Sequence, residues 1–80
     1  MMDKIKLIWD FRGPASSQTA AHFKIHLLEF FASEKMLLLE SGVESVTEIH
    51  HYTYAVINKQ HLEVIKSLLK PTRGQLVKAN

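Results

Sequence analysis

Alternating hydrophobic and polar residues near the N-terminus predict a β-strand. Large apolar residues recur at every second position, at Ile5, Leu7, Trp9 and Phe11. This two-residue period is typical of a strand with one buried face. Gly13 and Pro14 end the strand, and Ser16 or Ser17 can cap a following helix by accepting hydrogen bonds from its first backbone N–H groups.

The helix is predicted from about residue 17 to about residue 35, where apolar residues recur at three- and four-residue steps. The stripe expected to face the core is Ala20, Phe23, Leu27, Phe30 and Phe31. A second stripe, rotated by roughly 100° around the helix, is Ala21, Ile25, Leu28 and Ala32. Since one stripe suffices to cover a sheet, the second indicates either a contact beyond that sheet or a wide core face.

The middle of the chain combines an ambiguous segment with a predicted long strand. Residues 36–39 fit either a last helical turn or a short strand, and Gly42 fits either a helix C-cap or a turn. Residues 46–57 are rich in β-branched and aromatic side chains, which predicts one long strand.

The C-terminal part predicts a second helix and a short closing strand. Asn58 is the predicted N-cap of a helix that runs to about residue 69. The positions expected to face inward are Leu62, Ile65 and Leu69. Pro71 ends this helix, and residues 75–78 predict a strand at a sheet edge.

This order predicts one α+β domain over residues 1–80. The order is β-α-β-β-α-β if residues 36–39 form a strand, and the abbreviated β-α-β-α-β if they do not. Both describe a ferredoxin-like arrangement, with two helices on one face of a sheet. A chain of 80 residues that is 46% hydrophobic and 22% charged fits one small globular domain.

Charge and composition exclude several classes of protein. A formal charge of +2 without a basic run argues against nucleic-acid binding, and the absence of cysteine excludes disulfides and thiolate chemistry. No stretch approaches the roughly 18 apolar residues of a membrane span. The N-terminal residues lack the pattern of a signal peptide. We therefore expect a cytoplasmic protein without a membrane partner.

The sheet face away from the helices, here called the open face, carries Lys6, Ile8, Asp10 and Arg12 on the first strand. The orientation of the long strand is undecided. In one alternative Ile49, Thr53, Ala55 and Ile57 face the helices, and the open face gains His50, Tyr52, Tyr54 and Val56. Either orientation leaves apolar or aromatic area on both faces. Because monomers rarely expose large apolar patches, we expect a homodimer through the open face.

Five residues of this face form a candidate ligand cleft: Asp10, Arg12, His50, Tyr52 and Tyr54. A carboxylate, a guanidinium, an imidazole and two phenols can hold a small polar or anionic aromatic ligand. The alternative is that these groups satisfy one another across a dimer interface. No nucleophile motif is present, so catalytic residues are not assigned.

His22 and His26 are weak candidates for metal ligands. They stand four residues apart, on one helix face, and Glu29 completes a set of two imidazoles and a carboxylate. Glu29 lies nearly two turns from His22, so three ligands converge poorly. We predict no cofactor and no tightly held zinc or iron. Any affinity for nickel or zinc should be weak and lost below about pH 6, where free imidazole is protonated.

Three stretches carry a resemblance to known proteins: Trp-Asp-Phe-Arg-Gly-Pro at 9–14, His-x-x-x-His-Leu-x-Glu-Phe at 22–30 and Leu-Lys-Pro-x-Arg-Gly at 69–74. With the element order, they make the chain similar to ferredoxin-like domains that pair face to face as dimeric α/β barrels. They also resemble short bacterial proteins of unassigned function. Dimeric α/β barrels include monooxygenases, lactone isomerases, haem-handling enzymes and ligand-sensing domains, so the resemblance implies a homodimer and leaves the chemistry open.

The function expected from the sequence is that of a small homodimeric domain with no catalytic role. One alternative is a small-molecule-binding protein or small enzyme that uses the candidate cleft. A weaker alternative is metal binding through His22 and His26.

Overall fold

The computed structural model describes residues 3–77 of the chain. Its elements are β1 (Lys4–Arg12), α1 (Ser16–Ser33), β2 (Glu40–Thr47), β3 (His50–Asn58), a 3-10 turn (Lys59–His61), α2 (Leu62–Leu69) and β4 (Arg73–Val77). The four strands form one antiparallel sheet in the order β2-β3-β1-β4. The predicted α+β class with two helices is confirmed.

Both helices pack on one face of the sheet around a single core. The strands contribute Ile5, Leu7, Trp9, Ala55 and Ile57, and the helices contribute Leu27, Phe31 and Ile65. Trp9 is a core residue, as predicted, and its indole Nε1 donates a 2.8 Å hydrogen bond to the carbonyl of Leu69. This bond ties the centre of β1 to the last residue of α2.

The predicted long strand over 46–57 is wrong, because the chain turns within it. β2 ends at Thr47, and β3 begins at His50. The hydroxyl of Thr47 accepts a 3.2 Å hydrogen bond from the Ile49 backbone N–H, which stabilises the turn. Ile49 is 60% exposed there and does not face the helices. The uninterrupted β-forming composition hid a turn made by serine and threonine rather than glycine.

Residues 36–39 form neither a helical turn nor a strand. They are an irregular link, hydrogen-bonded to β3 where the Leu39 N–H donates to the Val56 carbonyl at 2.9 Å. Gly42 is neither a helix cap nor a turn residue, since it lies within β2 opposite Tyr54. β2 therefore begins earlier than the sequence pattern indicates.

The predicted cap of α1 is wrong, because the N-cap position is Ala15 and no side chain caps the helix. Asn58 does occupy the predicted N-cap position, before the 3-10 turn that leads into α2, but its side chain makes no cap hydrogen bond. Ser16 is the first residue of α1, and its hydroxyl contacts an imidazole instead. Pro71 follows the end of α2, as predicted, and the closing strand is β4, although Lys78 lies outside the described residues.

The second apolar stripe of α1 is not part of the core. Ala21, Ile25, Leu28 and Ala32 are all exposed, and Ile25 reaches 55%. The alternative of a wide core face is therefore wrong for one chain. Among residues 3–77, neither helix has the length and apolar character required to cross a bilayer.

Candidate functional site

Strand register places the five predicted cleft residues on the open face. β1 and β3 pair Ile8 with Tyr54, Asp10 with Tyr52 and Arg12 with His50. Directly opposed residues of an antiparallel pair point to the same face. Thr53 points the other way, since its hydroxyl donates a 2.7 Å hydrogen bond to the Ala20 carbonyl on α1. The undecided orientation of this strand is thereby settled.

Pairing with the edge strands completes the open face. The register adds Glu40, Gly42 and Glu44 from β2 and Arg73 and Gln75 from β4. The face therefore carries acidic side chains on one edge strand and a guanidinium on the other.

Asp10 is the centre of a polar cluster formed by Asp10, His50 and Arg73. Its Oδ1 lies 2.7 Å from His50 Nε2, and Arg73 donates from Nε to Oδ2 at 3.0 Å and from Nη2 to Oδ1 at 3.2 Å. The side chains of Asp10 and His50 are only 10% and 12% exposed, whereas Arg73 is 45% exposed. The cluster thus buries a carboxylate and an imidazole under a guanidinium that still meets solvent.

The charge state of Asp10 follows from these contacts. The hydrogen bond from Arg73 lowers the pKa of the Asp10 carboxyl more than burial raises it, and the His50 contact lowers this pKa further. The carboxylate form is therefore favoured, and the fork of Arg73 matches its two oxygens. The backbone N–H of Asp10 also donates a 3.1 Å hydrogen bond to the hydroxyl of Thr72, and this bond holds β4 against β1.

Aromatic rings and cations cover the apolar part of the open face. Lys6 Nζ lies 4.3 Å from the Tyr54 ring centre, and Arg73 Cζ lies 5.4 Å from that of Tyr52. Both distances fit cation–π contacts. Ile8 and Val56 are only 1% and 8% exposed in the single chain. The expectation that these two residues would be exposed without a partner is therefore wrong.

Tyr54 is held in place by β2. Its hydroxyl donates to Glu40 Oε2 at 3.1 Å, and a Cβ added at Gly42 would come within 2.7 Å of that hydroxyl. Glycine at this position lets the ring lie close to the strand. Burial, followed by the hydrogen bond to Glu40, raises the pKa of Tyr54, so the phenol remains a donor.

Arg73, which is not among the predicted cleft residues, takes the place beside Asp10 that the sequence pattern assigned to Arg12. Arg12 is exposed at the end of β1 and, within residues 3–77, makes no side-chain hydrogen bond or ion pair. Arg73 pairs with Asp10, although the predicted closing strand begins only at residue 75. Its role can be recognised only when β4 is paired with β1, which sets Arg73 opposite Ile8.

His51 belongs to the inner face of the sheet. Its Nδ1 lies 2.8 Å from the hydroxyl of Ser16, which is 2% exposed. One imidazole of the His50-His51 pair is therefore hydrogen-bonded on the helix side of the sheet. The contact between His51 and Ser16 joins β3 to the start of α1. Because Ser16 is buried, its hydroxyl is unsuited to act as a nucleophile on an external substrate.

Two cavities in the described part of the chain do not enclose the candidate cleft. A cavity of 180 Å³ is lined by Asp3, Asn58, Lys59 and Gln60. A second, of 270 Å³, lies between α2, β1 and β4 and includes Arg73 alone from the polar cluster. The cleft residues instead form part of a surface, and only a partner on that surface could enclose them.

The histidines proposed as weak metal ligands lie on the outer side of α1. His22 and His26 are exposed, and Glu29 contacts His26. Within the described part of the chain, no group of three histidine or acidic side chains has the geometry to hold a metal ion. Glu29 thus does not complete a three-ligand site with the two imidazoles.

Comparison with protein-family models, with characterised proteins and with solved structures found no match for this chain. The resemblance to dimeric α/β barrels therefore stays a prediction, and the geometry of the open face carries the functional argument.

Proposed function

We propose that this chain is a ferredoxin-like domain that forms a homodimer by pairing two open faces, with a structural rather than catalytic role for the Asp10 cluster. The sheet order supports the ferredoxin-like assignment, because β3 lies between β1 and β2 and β1 lies between β3 and β4. Each β-α-β unit is thus split by a strand of the other. The cytoplasmic location expected from the sequence belongs to this proposal.

The main support for the homodimer is the separation of acidic and basic side chains across the open face. Glu40 and Glu44 lie on β2 at one edge, whereas Arg73 lies on β4 at the other, with Lys6 and Arg12 on the adjacent β1. A two-fold axis parallel to the strands reverses the strand order of the second copy. The acidic edge of each copy then faces the basic half of its partner, which gives an isologous, complementary interface.

The size of the face is compatible with such a contact. Four strands spaced by roughly 4.8 Å, with central strands about 30 Å long, offer roughly 500 Å² per copy. The total of about 1,000 Å² is at the lower limit for a specific interface. Two half-buried tyrosines, Tyr52 and Tyr54, supply the aromatic contacts that interfaces favour. We therefore expect a dimer of moderate affinity.

The polar groups of the Asp10 cluster already have hydrogen-bond partners within one chain, which supports a structural role for the cluster. Both oxygens of Asp10 already accept hydrogen bonds, and no buried side-chain nitrogen or oxygen of residues 3–77 lacks a partner. A charge that is paired before docking costs less to bury in an interface than a free one. The cluster can therefore enter a dimer interface without a substrate.

The test is the molar mass in solution, measured by light scattering at tens of micromolar. We expect twice the 9.2 kDa of the chain. Glu44→Lys places a cation on the acidic edge and should shift the equilibrium toward the monomer. Glu48→Lys makes the same charge change in the exposed turn after β2 and should leave the dimer intact. A monomeric wild type, or equal effects of both variants, contradicts the proposal.

A second candidate function is binding of a small anionic aromatic ligand between the paired faces. The 2.7 Å contact of His50 with Asp10 favours it, because a carboxylate on Nε2 orients the imidazole and leaves Nδ1 to face a ligand. Arg12 supplies a cation that, within the described residues, forms no ion pair.

Benzoate, used as the probe, separates the two candidates. If the second candidate is correct, benzoate raises the melting temperature of the wild type, and Arg12→Ala loses this response. If the wild type is a dimer with no response to benzoate, the role is structural. Arg12→Gln removes the charge but keeps a polar side chain that can donate hydrogen bonds, and it should lose the response as well, because the carboxylate of benzoate pairs with the charge.

A further inference from the structure

The outer side of α1 holds two histidines whose ring nitrogens face each other. The Nε2 atoms of His22 and His26 are 2.9 Å apart, and their ring centres are 4.5 Å apart with planes at 79°. Both residues are exposed, and the side chain of His26 is 61% exposed. An ion can therefore reach both nitrogens without displacing any part of the core.

Glu29 determines which nitrogen of His26 is available. Its Oε1 lies 3.3 Å from His26 Nδ1, so the carboxylate favours a proton on Nδ1 and a lone pair on Nε2. In the metal-free pair, His22 must then donate its Nε2 proton to His26. If His22 instead carries its proton on Nδ1, both Nε2 lone pairs are free to bind one ion beside the helix.

The spacing of these nitrogens lets one metal ion contact both. With metal–nitrogen bonds of roughly 2.0 Å, two ligands are about 2.9 Å apart at a right angle and about 3.3 Å apart in a tetrahedral site. The 2.9 Å between the hydrogen-bonded nitrogens of the metal-free pair is close to both, so a small rotation of the exposed rings suffices for either geometry. The choice among metals therefore follows from their affinity for nitrogen ligands. Of the divalent first-row transition metals, Cu²⁺ binds nitrogen ligands most strongly.

From these observations we propose that His22 and His26 form a two-imidazole site for one Cu²⁺ ion per chain, with Glu29 as the positioning residue of His26. Water occupies the remaining positions of the ion, since residues 3–77 offer no third ligand with suitable geometry. Affinity is accordingly weaker than in a closed structural site. The proposal is compatible with the predicted absence of tightly held zinc or iron, and it does not depend on the dimer.

Titration of the full chain with copper chloride at about pH 7.5, where free imidazole is neutral, tests the site by calorimetry. We expect one Cu²⁺ per chain. Even outer partners of metal ligands contribute about 10- to 100-fold to affinity, so His22→Ala and His26→Ala should each weaken binding by at least about tenfold. His61→Ala is the matched control, because His61 lies apart from α1 in the 3-10 turn, and should leave affinity unchanged.

Two further measurements keep the proposal falsifiable. Electron paramagnetic resonance of the copper complex should show two imidazole nitrogens in the wild type and one in each single variant. Glu29→Gln should keep both nitrogens but bind Cu²⁺ about tenfold more weakly, at the lower end of the range for outer partners, because only the orientation of His26 is disturbed. The proposal is overturned if the wild type binds no Cu²⁺, if it prefers Zn²⁺, or if the double variant H22A/H26A binds Cu²⁺ as tightly as the wild type.

Discussion

At the scale of single residues, Asp10 joins three separate parts of the chain. It lies on β1 and receives hydrogen bonds from His50 on β3 and from Arg73 on β4, while its backbone N–H reaches Thr72. These contacts cross both strand neighbours of β1. A single carboxylate therefore helps to fix the register of three strands.

Replacement of Asp10 by asparagine tests this contribution. Asp10→Asn should lower the free energy of unfolding near neutral pH by roughly 1–3 kcal/mol, since hydrogen bonds to an ionised, mostly buried group are lost. Contacts that lower the pKa of Asp10 in the folded state stabilise the protein above the unfolded-state pKa of about 3.9. This stabilisation is lost as the pH falls through the lower, folded-state pKa.

Urea unfolding of wild type and variant over a pH series provides the measurement. The difference between the two should be constant above about pH 5 and should vanish in acid. Asp3→Asn makes the same chemical change at an exposed position and should show little difference. A difference between wild type and Asp10→Asn that grows in acid contradicts the assignment.

At the scale of elements, the end of α1 carries backbone strain. Lys35 adopts the left-handed conformation with φ of 55°, and its N–H donates to the Ala32 carbonyl at 3.2 Å. The N–H of Met36 donates to the Phe31 carbonyl at 3.0 Å, which completes a Schellman motif. Met36 packs against the core. The hydrophobic contact of this motif thus holds a lysine in a conformation that favours glycine.

Lys35→Gly should stabilise the protein by about 0.5–1 kcal/mol. Relief of the left-handed conformation gains about 1–2 kcal/mol, and the greater freedom of glycine in the unfolded chain offsets part of it. Thermal and urea unfolding provide the measurement. Lys35→Ala removes the amino group but keeps the Cβ, and it should give no such gain. If both variants stabilise the protein equally, loss of the lysine charge is the cause and backbone strain is excluded.

The two stripes of α1 differ in their contribution to stability. Leu27 is 1% exposed at the centre of the core, so Leu27→Ala should lower the free energy of unfolding by roughly 2–5 kcal/mol. Ala21 is exposed on the second stripe, and Ala21→Ser should cost only a few tenths of a kcal/mol. Chemical denaturation of both variants tests the assignment of the two helix faces. If the two substitutions lower the free energy of unfolding equally, the assignment is wrong.

At the scale of the whole molecule, the proposed pairing of open faces predicts that stability depends on protein concentration. A dimer that dissociates on unfolding melts higher as concentration rises, and a hundredfold increase should raise the melting temperature by roughly 5–10 °C. Tyr54→Asp places a third acid beside Glu40 and Glu44 and should remove much of this dependence. Tyr54→Phe keeps the aromatic ring and should retain the dependence of the melting temperature on concentration. Scanning calorimetry at two concentrations provides the measurement, and a wild-type melting temperature independent of concentration contradicts the dimer.

Local periodicity was sufficient for the elements that have one strongly apolar face. The alternation from Ile5 to Phe11 predicted β1, and the stripe through Leu27 and Phe31 predicted the buried face of α1. The α+β class followed from these elements and the second helix. Each signal lies within a few residues, because a strand repeats every two residues and a helix every 3.6.

Element boundaries that lack a glycine or proline could not be predicted from local periodicity. The turn between β2 and β3 uses Thr47 to accept a hydrogen bond, within a run of β-forming residues that contains no break in composition. Gly42, which fitted a helix C-cap or a turn, lies within β2 opposite Tyr54, where the absence of a Cβ makes room for the tyrosine ring. In both cases a tertiary or hydrogen-bonded contact outweighed the local preference.

The sequence by itself determined which residues share a face, and it identified Asp10, His50 and the two tyrosines as polar and aromatic groups that need partners. Only the tertiary structure decided that Arg73 rather than Arg12 pairs with Asp10, across 63 positions of the chain. It also decided that Ile8 and Val56 are covered within one chain. The physical reason is that periodicity specifies the orientation of a side chain relative to its own element, whereas its partner depends on which strands become neighbours in the sheet.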